Sequence, residues 1–187
     1  MGLAIVSTSE MFWVRWRARL GFPLAALCLY FARPSSASVL AGAIFAVVGL
    51  CVRAAASGHL HKGEVVAMSG PYAHTRNPLY FGSSVLAAGF VIASRSWMVG
   101  ALVAAYYLAL YPFLMRREER ELSERFGEAF NQYARTVPLF WPRLRTSGAA
   151  TSADFSWSQY LRNREYQTAM GAAALLLGLW LLSLWRR

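Results

Sequence analysis

Runs of apolar residues separated by polar connections dominate the chain. Five stretches carry no charge or almost none: Leu20–Phe31, Ser38–Val52, Leu79–Ser94, Trp97–Met115 and Thr168–Trp185. A helix needs roughly 20 apolar residues to cross a bilayer. The fourth and fifth stretches approach that length, and flanking aromatic and basic residues extend the second and third. The pattern predicts an all-α polytopic membrane bundle of about five transmembrane helices, forming a single domain over 1–187. Within it, residues 20–52 read as a helical hairpin turning at Pro34-Ser35-Ser36. Residues 60–145 read as the core, and 146–187 as a loop and a final span. Gly42 and Gly49, with Ala41, Ala43 and Ala46, give the second helix a small-residue face for close packing. Arg95-Ser96 closes a second hairpin. Leu20–Phe31 and the arginines before it also have the outline of a signal peptide, but Phe12, Trp13 and Val14 lengthen the apolar stretch and favour a retained span.

A different periodicity follows the fourth stretch. In 116–167, Leu122, Phe126 and Phe130 recur every four residues, and Tyr133 and Val137 continue the stripe, as on an amphipathic helix. Arg117 with Glu121, and Glu121 with Arg125, form i,i+4 pairs of opposite charge. Gly127 divides the piece into two helices, and Thr146–Ser158, rich in small and polar residues, reads as a loop.

Charge refines the topology. The chain is 57% hydrophobic and holds 19 Lys and Arg against 9 Asp and Glu, a formal net charge of +10. A basic excess of this size suits nucleic acid when it is clustered on one face, but here the arginines sit at the ends of the apolar stretches. Arg15, Arg17 and Arg19 precede the first stretch; Arg53, Lys62 and Arg76 lie in the second connection, and Arg116 through Arg145 in the fourth. The positive-inside rule then places the amino terminus and those two connections in the cytoplasm of an inner-membrane protein. Cys28 and Cys51 both lie in apolar stretches and support neither a disulfide framework nor a metal site.

Two polar stretches carry candidate chemistry. In SGPYAHTRNPLYFGS (69–83), Asn77 is a preferred N-cap and Pro78 a preferred first helical residue. The third helix therefore starts here with its positive dipole end flanked by His74 and Arg76, a setting for an anion; Gly82 and Ser83 keep its first turn narrow. The same residues also make an ordinary helix start. In MRREERELSERF (115–126), Glu118 and Glu119 precede Leu122 by four and three residues, which brings them to the apolar stripe. Near the end of a membrane helix they want a cation, whether a neighbouring arginine or a ligand. An anion site and a cation site on adjacent antiparallel helices together suit a zwitterion. Further on, Arg162, Arg164 and Glu165 in YLRNREYQ form either an interfacial collar or a contact for a substrate head group. His59 and His61 with Glu64 offer no firm third metal ligand and read as solvated loop.

GPYAHTRNPLYFGS resembles the signature of the integral-membrane methyltransferases, the isoprenylcysteine carboxyl methyltransferases and phospholipid N-methyltransferases. The paired glutamates, Phe126-Gly127, Tyr133 and the Val-Pro-x-Phe-x-Pro run at 137–142 resemble its second half. The resemblance covers roughly residues 60–145. It implies S-adenosyl-L-methionine at the cytoplasmic face and a lipid or lipidated acceptor entering from the bilayer. It implies a cofactor pocket of His74, Arg76, Asn77, Pro78, Tyr80, Gly82, Glu118, Glu119, Phe126 and Tyr133. Arg76, Asn77 and Glu119 would serve catalysis, Arg76 orienting a carboxylate acceptor or Glu119 taking a proton from an amine. Members that methylate prenylcysteine usually carry His where this chain has Asn77, which leaves the acceptor open. A lipid or sterol reductase of related architecture and a non-enzymatic membrane scaffold are the alternative readings.

Overall fold

The computed structural model describes residues 21, 23–61, 65–144 and 154–186. Arg15, Arg17, Arg19, Lys62, Glu64, Arg145 and the loop at 146–153 lie outside the described residues. Every regular element among the described residues is helical. Residues 23–31 form α1, followed by α2 (Ser36–His59), a short 3-10 helix (Gly70–Ala73), α3 (Pro78–Ser94), α4 (Trp97–Phe126), α5 (Glu128–Thr136), α6 (Trp157–Arg162) and α7 (Glu165–Trp185). By length and composition α2, α4 and α7 are able to cross a membrane. The 17 residues of α3 make an apolar helix of about 26 Å, slightly short of a hydrocarbon core. Leu40, Ile44, Val47, Leu108 and Leu177 are exposed on the outer faces of the bundle, as lipid contact requires.

The helix ends follow from local chemistry. Ser35 and Ser38 form a reciprocal capping box at the start of α2. The α3–α4 turn is tight because Arg95 takes a left-handed conformation, φ 50°, and Ser96 caps α4 through the Val99 amide. The fourth apolar stretch and the amphipathic stripe are one continuous helix, because nothing between Met115 and Phe126 breaks it. Gly127, φ 55°, ends it and starts α5.

The core of the bundle is the antiparallel pair of α2 and α3, with α7 packed across both and α4 against α3. Glycines on the first two helices meet in register. A Cβ at Gly49 would lie 2.7 Å from the Gly82 carbonyl oxygen, and one at Gly89 would lie 2.6 Å from that of Gly42. Both helices space their glycines by seven residues, so the two contacts match, and close backbone approach replaces side-chain interdigitation. Around them Val39, Ala93 and Leu179 are buried at one end, and Ala46, Leu86 and Ala172 further along. The termini of α2 (His59), α3 (Pro78) and α7 (Glu165), and the charged half of α4, all come together at the other, polar end of the bundle.

Candidate active site

The site begins with the turn before α3. Gly70 has φ 56° and the His59 ring lies against it, so a side chain at that position meets both strain and a ring 2.6 Å away. His59 Nδ1 lies 2.7 Å from the Ala55 carbonyl oxygen. The turn buries Tyr72, whose carbonyl accepts a 2.7 Å hydrogen bond from the Tyr133 hydroxyl. Burial, with Glu118 nearby, pushes the Tyr72 phenol far above its ordinary range. Burial also raises Tyr133, against the opposing pull of Arg76 and Arg143. Both rings therefore stand as neutral hydroxyls.

The two motif blocks are bound to each other. Arg76 donates its backbone amide to the Pro138 carbonyl at 2.9 Å, and Asn77 Nδ2 donates to the Leu139 carbonyl at 3.0 Å. The buried Thr75 hydroxyl donates to Leu139 and Phe140. Asn77 occupies the N-cap position of α3, but its side chain makes no cap. That amide serves the 138–143 run instead, so the first turn of α3 is left without the side-chain cap expected there. The stripe on α5 supports this clasp from below: Phe130, Tyr133 and Val137 form a buried cluster against Leu122, Phe126, Val66 and Met68.

At the centre, Arg76 Nη1 meets Glu119 Oε1 at 2.5 Å, with side chains 16% and 23% exposed. The contact lacks hydrogen-bond geometry, and Arg76 Nε and Glu119 Oε1 are buried without a hydrogen-bond partner. Buried polar atoms left in this state are uncommon and mark a place where a further partner fits. Three cavities adjoin the pair: one of about 760 Å³ opens along α4 at Pro112, Phe113, Arg116 and Arg120, and the other two meet at the turn before α3. Of these two, one, of about 250 Å³, is walled by Tyr72, Asn77, Glu118, Glu119, Phe126 and Tyr133. The other, of about 820 Å³, reaches between the helices past Ala25, Leu79, Tyr80, Tyr106 and Tyr111. Leu60, Tyr72, Arg76, Asn77 and Glu118 line both.

Of the residues singled out in the sequence, Arg76, Asn77, Glu118, Glu119, Phe126 and Tyr133 surround the smaller cavity, and Pro78, Tyr80 and Glu165 line the larger. Four are placed otherwise. His74 Nδ1 engages the Arg143 carbonyl at 2.7 Å, because the clasp turns it toward the 138–143 run. Gly82 faces α2, where it makes room for the helix contact and for Arg53. Arg162 and Arg164 are exposed, since α6 and the left-handed Arg164, φ 55°, turn them outward. The sequence reading missed Arg53, which pairs with Glu165 at 2.7 Å. Their only signal was that each is the charged residue nearest an apolar stretch at this end. No three His, Cys, Asp or Glu side chains gather into a metal site among the described residues.

A helical membrane protein with two cavities sharing one charged seam is the class this geometry defines. Residues 39–129 match the sequence model of the phospholipid methyltransferase family. The chain is 31% identical over 139 residues to the protein-S-isoprenylcysteine O-methyltransferase of Schizosaccharomyces pombe, covering 72% of this chain and 52% of that protein. It is 33% identical over 102 residues to the cobalt-zinc-cadmium resistance protein CzcN of Cupriavidus metallidurans, covering 54% of this chain and 47% of the relative. It is 36% identical over 83 residues to the nickel-cobalt-cadmium resistance protein NccN of Alcaligenes xylosoxydans xylosoxydans, covering 44% and 38%. The alignments thus span about half or less of these relatives. No solved structure matches the chain significantly.

Proposed function

We propose that the chain is an S-adenosyl-L-methionine-dependent methyltransferase acting on a lipid-borne or hydrophobic acceptor, with its site at the cytoplasmic face of the membrane. The observation that carries this reading is the seam at Tyr72, Arg76, Asn77 and Glu118, where the two cavities share a charged wall. The family match and the methyltransferase relative support it.

The donor set fits the cofactor. Arg76, whose Nε has no hydrogen-bond partner, suits a carboxylate, and Glu119, whose Oε1 meets Arg76 without a hydrogen bond, suits an ammonium. S-adenosyl-L-methionine, when bound, supplies a methyl group on a sulfonium that becomes a neutral thioether as the methyl passes to the acceptor's nucleophilic atom. The chain's own task is alignment and exclusion of water. Phe126 and Tyr133 close the smaller cavity, and the neutral hydroxyls of Tyr72 and Tyr133 add no charge that competes with the cation. Glu119 does not line the larger cavity, whereas Glu118 lines both. Glu118 is therefore the carboxylate placed to receive a proton from an amine acceptor, and Arg76 the group placed to orient an anionic one.

Equilibrium binding of S-adenosylhomocysteine to the purified full chain tests the reading. Micromolar binding that weakens at least tenfold in Glu119→Ala is the expected result. No binding at near-millimolar concentration, with the protein folded, would sink it.

A further inference from the structure

The larger cavity has a charged wall that neither motif block supplies. Arg53 leaves α2 one turn beyond Gly49 and crosses the first turn of α3 through the notch at Gly82, where a Cβ would lie 2.7 Å from Arg53 Cγ. Past the notch the guanidinium is fully engaged. Nε and Nη2 donate to the two oxygens of Glu165 at 3.1 and 2.7 Å. Nη1 donates to the Leu79 carbonyl at 3.2 Å and to Ser83 Oγ, and Nη2 also reaches Thr168 Oγ1 at 3.4 Å. The two side chains are 16% and 11% exposed. Both line the larger cavity, and neither lines the smaller one.

An ion pair held this far from water is no better than apolar packing at joining helices, and ionisable groups in membrane proteins commonly mark substrate paths. The five N–H groups of a guanidinium all have partners here. What the pair has left is the carboxylate: each Glu165 oxygen takes one bond from Arg53, and an ionised carboxylate offers about four acceptor positions. The wall therefore accepts hydrogen bonds rather than donating them.

We propose that Arg53 and Glu165, seated through the Gly82 notch, determine which acceptor enters the larger cavity, selecting a polar end that donates hydrogen bonds, an amine or hydroxyl, over a carboxylate. The inference rests on the methyl-transfer reading. Glu165 touches the acceptor; Arg53 is a positioning residue that fixes the carboxylate.

The full chain reconstituted in phosphatidylcholine vesicles, with S-adenosylmethionine labelled in its methyl group, provides the test. The probes are dioleoylphosphatidylethanolamine, which presents an amine, and N-acetyl-S-farnesylcysteine, which presents a carboxylate. The amine probe is expected to be the better acceptor. Glu165→Gln and Arg53→Lys are expected to raise its KM at least tenfold, leaving S-adenosylhomocysteine affinity within twofold. The doubly neutral variant, Arg53→Gln with Glu165→Gln, keeps hydrogen bonds between the helices. A mere tie would regain wild-type KM in that variant, whereas an acceptor-reading wall stays impaired. Unchanged KM in the single variants, recovery in the double one, preference for the carboxylate probe, or parallel loss of S-adenosylhomocysteine binding each overturns the proposal. So does transfer to neither probe by a chain that still binds S-adenosylhomocysteine. Failure of the wild type to bind S-adenosylhomocysteine instead removes the methyl-transfer reading itself.

Discussion

Arg76 Nη1 touches Glu119 Oε1 at 2.5 Å and thereby joins the turn before α3 to the charged half of α4, 43 residues later in the chain. Arg76 Nε is buried with no hydrogen-bond partner, and Glu119 Oε1 meets Arg76 without making a hydrogen bond. The contact is thus a resting arrangement of two charges that a zwitterion is able to divide between them. Arg76→Gln and Glu119→Gln should each weaken S-adenosylhomocysteine binding by about tenfold, which is about 1.4 kcal/mol. The double variant should lose less than the sum, since both act on one ligand and on each other. Calorimetric titration of the four proteins gives the coupling, and strict additivity would show that the two residues act apart.

Gly82→Ala tests the helix contact. The new methyl meets Arg53 Cγ at 2.7 Å and the Gly49 carbonyl oxygen at 2.9 Å. Overpacking of this kind costs about 1–3 kcal/mol. Gly171, with nothing within 4 Å of its would-be Cβ, is the control. Thermal unfolding in detergent should show a midpoint several degrees lower for Gly82→Ala and an unchanged or slightly higher one for Gly171→Ala.

Tyr133→Phe removes the hydroxyl that donates to the buried Tyr72 carbonyl at 2.7 Å. An unsatisfied buried carbonyl costs about 1–3 kcal/mol, so chemical denaturation should show a loss of that order.

Tyr72 and Tyr133 also set an alkaline limit. Their folded pKa values are raised by burial, whereas an unfolded tyrosine titrates near pH 10. Above about pH 10 the unfolded chain sheds protons that the folded chain keeps. The unfolded state then binds fewer protons, and stability falls as pH rises. Below pH 10 both states hold these protons and the two tyrosines contribute no slope. Unfolding midpoints measured from pH 8 to 11.5 should be flat with respect to these groups and then decline, with a shallower decline in Tyr133→Phe.

Thr75→Val loosens the clasp. It removes the hydroxyl bonded to the Leu139 and Phe140 carbonyls. The run through Arg143, whose amide binds the His74 carbonyl at 3.0 Å, should then open more often. Tryptic cleavage after Arg143 should accelerate severalfold, and a cleavage rate equal to that of the wild type would count against the clasp.

What could be read before folding was what neighbours in sequence determine. Asn77-Pro78 and Arg95-Ser96 mark the ends of α3 because caps and prolines act locally, and the stripe from Leu122 to Val137 shows which face α5 buries. The arrangement at the Glu119 seam was legible because two charged clusters lay beside apolar stretches of known direction. The Arg53–Glu165 pair was not, since its partners are 112 residues apart and nothing local distinguishes them from other arginines and glutamates. Asn77 has a cap residue's position but not its bond, because the 138–143 run offers its amide a carbonyl that the sequence alone cannot place. The contact of the His74 ring with the Arg143 carbonyl was hidden for the same reason.

The matched glycines of α2 and α3 fix more than proximity. Sliding one helix past the other by a single turn would set side chains against backbone at both crossings, so the pair has one allowed alignment. Arg53, four residues past Gly49, is then always delivered at the height of Gly82. The height of the charged wall within the bundle is thus decided by backbone meeting backbone, at one crossing beside the wall and at a second one seven residues further along each helix.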